Sequence, residues 1–310
     1  MRVFVAGGTG VIGRQLVPQL VAAGHEVTAT TRRPEKAELL RSLGATPAVL
    51  DALDEHAVMS AVRAAAPDVV MNQLTDLPQR YEPRRLGPYL QASARLRVDG
   101  SRHLLAGARA AGTRRFIYQS IAFMYALSGP WVVDEDAPIA ADAPDPFSAS
   151  VRGTLEGERL ALETAGLEGV VLRYGQLYGP GTYFAPDGYF ALQARKRQVP
   201  IVGGGAGMFS FLHVDDAASA AVCAMTRGRG VYNVVDDEPA PGREWIPLFA
   251  QAIRAPRPLR IPRWVAALMV GGWAVATLTQ GRGASNARAK RDLGWQPRYP
   301  SWREGFFHQS

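Results

Sequence analysis

The sequence predicts an α/β fold built on a doubly wound parallel sheet. Short apolar runs of strand length alternate with amphipathic stretches of helix length through the first half of the 310-residue chain. Such alternation is typical of parallel strands joined by crossover helices. A glycine-rich turn follows the first strand directly, and the content of 47% hydrophobic and 20% charged residues is that of an ordinary globular protein.

The alternation continues almost to residue 177. Strands are predicted at residues 3–6, 26–31, 46–50, 68–71, 116–119 and 170–174, and helices at residues 11–23, 34–43, 54–65, 90–111 and 148–165. Beyond this point the elements shorten, and the glycine-rich stretches at 179–181 and 203–205 indicate loops.

The composition excludes several classes of protein. The net charge of +7 comes mostly from arginines scattered among acidic residues, without a basic arm or zinc finger, so we expect no nucleic-acid partner. The apolar stretch at 264–278 is shorter than the about 20 residues that span a membrane. Two glycines also interrupt it, so we expect a buried or partner-facing helix and no membrane segment. The single cysteine, Cys223, and the early glycine turn, which leaves no room for a signal peptide, favour a cytoplasmic protein.

The turn after the first strand reads GGTGVIG over residues 7–13. Its three spaced glycines permit a tight turn, a close approach of the backbone to a pyrophosphate, and packing of the next helix on the strand. The N-terminus of that helix directs free N–H groups at the phosphates. The sequence therefore predicts a Rossmann-type dinucleotide site. The expected contacts in this turn are Gly7, Thr9, Gly10, Val11, Ile12 and Gly13.

Two charged positions bear on which dinucleotide binds. Arg32 ends the second strand, where an NAD-binding fold usually places an acid on the ribose 2′-OH. Because arginine pairs with a 2′-phosphate, Arg32 favours NADPH over NADH, although Glu35 nearby opposes this slightly. Asp51 ends the third strand, where it either accepts from the adenine amino group or caps the following helix.

We therefore expect two interleaved parts. Residues 1–177 are predicted to form the dinucleotide-binding Rossmann domain. Residues 178–310 are predicted to form a smaller, mainly substrate-binding part whose segments return to the first.

Four further motifs accompany the glycine turn in a fixed order. They read FIYQS at 116–120, LRYGQLYGPG at 172–181, FLHVDDA at 211–217 and ARAKRDLGW at 287–295. With them the chain resembles an extended short-chain dehydrogenase/reductase of the epimerase/dehydratase type over nearly its whole length. The resemblance implies a catalytic tyrosine, a lysine four residues later, and a serine or threonine after the fifth strand. The tyrosine protonates the oxyanion as hydride arrives, and the lysine lowers the tyrosine pKa.

These catalytic residues do not carry over to this chain. Aligning Glu158 with the glutamate that follows the pair in the family puts Ser150 at the tyrosine position and Thr154 at the lysine position. No tyrosine in the chain has a lysine four residues on. The catalytic serine position holds Ile121, with Ser120 just before it.

Three nearby residues complete the predicted reaction centre. Ser120 is the candidate for binding a carbonyl oxygen, although a serine hydroxyl is a poor acid. Tyr125 is the alternative acid, but a buried structural role is favoured for it. Arg97 replaces the asparagine that helps to relay the proton in many relatives.

Three interpretations remain open. The protein is a reductase whose proton comes from the substrate or from water, as a phenol beside a ketone in an aromatic polyketide could supply it. Alternatively it is a cofactor-binding sensor without chemistry, or an epimerase or dehydratase with a relocated acid. We favour the NADPH-dependent reduction of a ketone of secondary metabolism, with a small-molecule ketone as partner; a monomer and a homodimer both stay open.

The remaining site predictions follow from position within the motifs. Gln73, Leu74 and Thr75 follow the fourth strand and are expected to contact the cofactor ribose, and Tyr174 lies near the nicotinamide by resemblance. The residues expected to contact substrate, some of them in a lid, are Gln176, Tyr178, Tyr183 and Phe184, with Tyr189 beside them. No metal site is expected, because the His-x-Asp-Asp sequence at 213–216 is a poor ligand set and the resemblance gives it a structural role.

Overall fold

The computed structural model describes residues 1–78 and 86–308. Its centre is a parallel sheet of seven strands in the order β3-β2-β1-β4-β5-β7-β12. These strands are β1 (Arg2–Ala6), β2 (Glu26–Thr31), β3 (Thr46–Val49), β4 (Val69–Asn72), β5 (Arg115–Ile121), β7 (Glu168–Tyr174) and β12 (Gly230–Val234). The order reverses between β1 and β4, so the carboxyl ends of these strands border the crevice in which such folds bind ligands.

Helices cover both faces of the sheet. The first half contributes α1 (Gly13–Ala22), α2 (Ala37–Ser42), α3 (Glu55–Ala65), α4 (Leu86–Arg95), α5 (Ser101–Ala110) and α6 (Phe147–Glu163). The second half contributes α7 (Tyr189–Arg195), α8 (Val214–Cys223), α9 (Gly242–Ala252), α10 (Arg263–Val270), α11 (Gly272–Gln280), α12 (Ala287–Leu293) and α13 (Trp302–Phe307). The predicted doubly wound architecture is confirmed.

Short strand pairs build the rest of the second half. They are β6 (Val132–Val133) with β15 (Gly283–Ala284), β8 (Gln176–Tyr178) with β11 (Phe211–His213), β9 (Ile201–Val202) with β14 (Arg260–Ile261), and β10 (Met208–Phe209) with β13 (Ala240–Pro241). The seventh sheet strand, β12, also comes from this half and pairs with β7 over five positions, from Gly230 against Val170 to Val234 against Tyr174. The two halves of the sequence therefore share one sheet.

Three apolar clusters hold these layers together. On one face of the sheet, α1 and α8 pack through residues such as Leu16 and Ala217. On the other face, α3, α5 and α6 pack through residues such as Val62 and Leu104. A third cluster, rich in aromatic side chains such as Phe211, lies within the second half. Because burial of apolar surface dominates folding stability, these clusters fix the strand ends on which the site is built.

Two predicted helices differ from the observed ones. The helix expected at 90–111 is α4 and α5 joined by a π-helical turn at Leu96–Gly100. Such turns occur often at functional sites. The apolar stretch at 264–278 forms two helices, which meet at Gly271 with a φ of +84°. In the described residues no helix is long and apolar enough to cross a membrane.

Candidate active site

The glycine turn forms a cradle that side chains would fill. Gly7 has a φ of +91°, and a Cβ atom there would lie 2.7 Å from the carbonyl oxygen of Gln73. A Cβ atom on Gly13 would lie 2.6 Å from the carbonyl oxygen of Gly8. No side chain caps the N-terminus of α1, which also has no acid in its first turn. The turn is therefore open to the phosphates of a dinucleotide.

A cleft of about 200 Å³ extends from this turn along the ends of β1, β2 and β4. Its lining comes from the glycine turn and from the segments that follow β2, β3 and β4. The lining residues are Gly7, Thr9, Gly10, Thr30, Thr31, Arg32, Arg33, Lys36, Leu50, Asp51, Ala52, Gln73, Leu74, Thr75 and Leu96. The structure thus brings most of the predicted cofactor contacts into one cleft, while Gly13 and the buried Ile12 support it from the start of α1.

Cations gather at the β2 end of the cleft. Arg32 pairs with Asp76 at 2.8 Å. Burial and the nearby guanidiniums of Arg14 and Arg33 lower the pKa of Lys36. Since Asp76 already offsets the charge of Arg32, the other cations carry most of the attraction for a phosphate. The sequence argument singled out Arg32 and missed Arg33 and Lys36, although all three lie in one short stretch.

Asp51 does not cap the third helix. Its carboxylate accepts the N–H of Leu53 at 2.9 Å. The cap of α3 is Asp54, which accepts from the N–H of Ala57 at 3.0 Å. Asp51 instead lines the cleft, so the contact with adenine stays a prediction.

Two buried polar groups at the inner end of the cleft lack hydrogen-bond partners. Both amide atoms of Gln73 and the hydroxyl of Tyr174 are buried without a hydrogen bond within the described residues. The two side chains lie close together, but burial outweighs the influence of the amide and raises the pKa of Tyr174. Unsatisfied buried polar groups are costly and rare. Here they fit the polar edge of a nicotinamide and its ribose, so the residues present suit a nicotinamide dinucleotide.

The Ser120 hydroxyl is directed into a buried hydrogen-bond network. It is fully buried, and its hydroxyl donates a hydrogen bond to Glu158. Glu158 also accepts from Arg173 at 2.9 Å and 2.7 Å. With its hydrogen directed at Glu158, the Ser120 hydroxyl does not point at a substrate carbonyl in this structure, and its role at the reaction centre stays a prediction.

Tyr125 belongs to the same buried network. Its hydroxyl donates to the side chain of Asn233 at 2.7 Å and accepts from Arg173 at 3.1 Å. Burial raises the pKa of Tyr125, and Arg173 opposes that rise. Glu135 closes the network by accepting the backbone N–H of Asn233 at 2.7 Å. The favoured structural role of Tyr125 is consistent with these contacts.

The family's catalytic positions hold no proton donor suited to the task. Thr154 is fully buried in α6 and donates to the carbonyl of Ser150 at 2.8 Å. Ser150 is half-buried one turn earlier, and Ile121 ends β5 with an aliphatic side chain. The residue after Ala122 is Phe123, which is 46% exposed. Sequence reasoning passed over Phe123, because an apolar residue after a strand gives no chemical signal.

The predicted substrate contacts divide into core and boundary residues. Tyr178 and Phe184 are buried among aromatic rings in the second half, so neither ring is available to a substrate. Gln176 is half-buried in β8. Tyr183 donates its hydroxyl hydrogen to the carbonyl of Pro78 and so joins the predicted lid to the loop after β4. Gln176, Tyr183 and Tyr189 are half-buried, and substrate contact stays a prediction for them.

The His-x-Asp-Asp segment serves structure. His213 caps α8 by accepting the N–H of Asp215 at 3.2 Å. Asp216 accepts the backbone N–H groups of Arg298 and Tyr299 at 2.8 Å and 2.9 Å. It therefore anchors the late segment before α13 to the first residues of α8. In the part of the chain that is described, no cluster of three or more candidate metal ligands occurs.

Comparison with known proteins gives one family. The family model for the NAD dependent epimerase/dehydratase family matches residues 3–234. The chain is 49% identical over 308 residues to a "3-diazoavenalumate denitrifying reductase" of a Streptomyces species, covering 98% of this chain and 99% of the relative. It is 30% identical over 263 residues to a farnesyl-dihydroquinoline-oxide ketoreductase of Stigmatella aurantiaca, covering 82% and 75%.

Solved structures share the fold. A UDP-glucose 4-epimerase of Thermus thermophilus in complex with NAD superposes with a TM-score of 0.76 at 23% identity, covering 99% of this chain and 97% of the other. A human epimerase family protein with NADPH superposes with a TM-score of 0.73 at 22% identity, covering 99% and 98%. Together with the family match, these complexes support a nicotinamide dinucleotide as the cofactor of the cleft.

Proposed function

This chain belongs to the NAD-dependent epimerase/dehydratase family and is an NAD(P)-dependent reductase of a small molecule; we propose that it uses NADPH to replace a diazo group of its substrate with hydrogen, releasing N2. The observation that carries the proposal is a cofactor cleft without an acid at the family's catalytic positions. The relative with 49% identity is named as a denitrifying reductase of a diazo compound, and this agrees with the proposal.

The chemistry explains why an acid is dispensable. When bound, the reduced cofactor supplies a hydride. In an arenediazonium the new C–H bond takes the hydride electron pair, and the C–N bond breaks with its electrons leaving in N2. Charge and atoms balance without an added proton. Hydride addition to a ketone instead forms an oxyanion, which must be protonated.

The side chains at the reaction centre match this difference. Ile121 offers an apolar surface where a ketone reductase of this family offers a hydroxyl. Ser120 and Tyr125 direct their hydroxyl hydrogens at Glu158 and Asn233. The chain's task is then to hold the cofactor and substrate in line and to exclude water, which is where most of the rate enhancement of such a transfer arises.

We propose NADPH because of the cations beside β2. Arg32, Arg33 and Lys36 line the cleft, and Arg14 lies close enough to Lys36 to lower its pKa. A 2′-phosphate would offset their mutual repulsion. Arg32→Asp adds an acid for the ribose 2′-OH and is expected to move the preference towards NADH.

Isotopic labelling tests the proposal. The purified protein is mixed with a hydroxylated, carboxylated arenediazonium and NADPH deuterated at the transferred position, in ordinary water. We expect NADPH oxidation, release of N2, and one deuterium on the carbon that carried nitrogen. A product without deuterium at that carbon, or no oxidation of NADPH above the rate without protein, would overturn it.

A second candidate is reduction of a ketone with a neighbouring hydroxyl. It is favoured by the relative at 30% identity, which is named a ketoreductase. The substrate hydroxyl or water would then supply the proton that the protein does not. If ketones of this kind oxidise NADPH and the diazonium does not, this second function replaces the first. The double change Ser150→Tyr and Thr154→Lys should raise the rate at which ketones without a neighbouring hydroxyl are reduced, and should leave the rate with the diazonium unchanged.

A further inference from the structure

Arg97 is a buried cation that has no carboxylate partner among the residues that the structure describes. The residue is only 6% exposed. One terminal nitrogen donates to the carbonyl of Gln119 at 3.3 Å and reaches the hydroxyl of Tyr118 at 3.5 Å. Among the described ion pairs, none involves Arg97. Glu158, on the neighbouring helix, already accepts two hydrogen bonds from Arg173.

Other buried arginines of the chain are paired. Arg115 is 4% exposed and meets Glu168 at 2.8 Å. Arg173 is 5% exposed and meets Glu158 at 2.7 Å. Because a buried charge without a counter-ion is strongly unfavourable, Arg97 stands out from this pattern. Its counter-ion is expected to come from outside the protein.

The location of Arg97 indicates which molecule brings that anion. It lies in the π-helical turn directly after Leu96, which lines the cofactor cleft. Its carbonyl accepts from Ser101, whose hydroxyl in turn receives a hydrogen bond from Asn72 at the end of β4. The guanidinium itself lies against β5, where it contacts the carbonyl of Gln119, and Gln119 is two residues before Ile121 in that strand.

The cofactor phosphates have other partners. The pyrophosphate belongs to the uncapped start of α1, and a 2′-phosphate belongs to the cations after β2. An anion beside the carboxyl end of β5 is therefore part of the substrate. Phe123, two residues after the end of β5, is a partly exposed aromatic residue that could provide a flat apolar surface.

We propose that Arg97 binds an oxyanion of the substrate, either a carboxylate or an ionised ring oxygen. The proposal rests on the proposed function only in placing an aromatic substrate at this end of the cleft. The other guanidinium nitrogens of Arg97 have no partner among the described residues. They can therefore donate two parallel hydrogen bonds to the two oxygens of a carboxylate, or donate to one ring oxygen. Arg97 is then an anchor that orients the substrate and takes no proton.

Binding measurements test the anchor without any hydride transfer. Protein saturated with NADP⁺ is titrated calorimetrically with 4-hydroxycinnamate, its methyl ester, and 4-methoxycinnamate. If the carboxylate is the anion, both acids bind at least tenfold more tightly than the ester, and Arg97→Met removes the difference. If the ring oxygen is the anion, the ester binds like the parent acid and the methoxy compound is the weak ligand. Arg97→Lys should recover part of the affinity, because it keeps the charge.

A matched control separates the anchor from a structural role. Arg95 lies two residues away, is 67% exposed in its side chain and pairs with Asp99. Arg95→Met should leave all three affinities unchanged. Equal binding of the three compounds by wild-type protein, absence of binding of the acids, or unchanged affinities in Arg97→Met would overturn the proposal. None of these results depends on whether a diazo group is reduced.

Discussion

At the scale of single residues, the chemistry of the site depends on the hydrogen bonds that its hydroxyl groups already make, and not only on which residues are present. Ser120 and Tyr125 both lie near the expected reaction centre, yet each donates its hydrogen to a buried acceptor. The sequence identified these hydroxyls as candidates because their positions were right. The sequence could not show that Glu158 and Asn233 accept hydrogen bonds from these hydroxyls, since the two acceptors lie on a helix and a strand that are distant in the chain.

Lys36 provides a residue-scale prediction. Lys36→Ala should raise the KM for NADPH about tenfold, which corresponds to about 1.4 kcal/mol, and leave the KM for NADH nearly unchanged. The reason is that Lys36 lines the cleft together with Arg33, and only NADPH carries the extra phosphate. Steady-state kinetics with both cofactors measure the effect. Arg41→Ala is the control, because Arg41 pairs with Glu38 outside the cleft; an equal rise in both KM values would contradict the phosphate role.

At the scale of elements, the strand-turn-helix unit β1–α1 depends on the absence of a side chain at Gly13. Gly13→Ala should weaken NADPH binding by at least tenfold and lower the melting temperature, because its Cβ would press on the carbonyls of Gly7 and Gly8. Gly272→Ala is the matched control, since nothing lies within 4 Å of its Cβ position. Fluorescence titration and thermal unfolding measure both effects. Unchanged binding in Gly13→Ala would mean that the turn is not the phosphate cradle.

The start of α8 gives a prediction about pH. Burial lowers the pKa of His213, and Asp215 opposes the shift. The unfolded chain therefore takes up a proton near pH 6.5 that the folded protein resists, so stability is present above that pH and is lost as pH falls through it. His213→Asn keeps an acceptor for the cap and removes the titration. Wild type should lose more unfolding free energy than His213→Asn between pH 7.5 and 5.5, and parallel losses would refute this account.

The elements also show how far sequence reasoning reaches. The sheet strands up to residue 174 were predicted because apolar periodicity and turn residues are local signals. The interruption at Leu96–Gly100 was not, because nothing local distinguishes a π-helical turn from the helix around it. Tyr178 and Phe184 were assigned to a lid because glycines and prolines flank them, but packing against Phe211 and Phe306 places both in the core. Whether such an aromatic residue lies in the core or at the surface depends on tertiary packing, which local patterns in one sequence do not reveal.

At the scale of the whole molecule, cofactor binding and folding are coupled through the shared sheet. The β12 strand comes from the second half, and the cluster around α1 includes Trp295, so neither half completes its core alone. We therefore expect one cooperative unfolding transition in urea, with circular dichroism and tryptophan fluorescence superimposed. At an NADPH concentration of one hundred times its Kd, the unfolding free energy should rise by about 2.7 kcal/mol for both signals together. NADH at the same concentration should give a smaller rise, because it lacks the 2′-phosphate that we propose Lys36 to bind. Two separate transitions, of which NADPH shifts only one, would contradict this expectation. They would show that the halves fold independently and that the predicted division at residue 177 is a domain boundary.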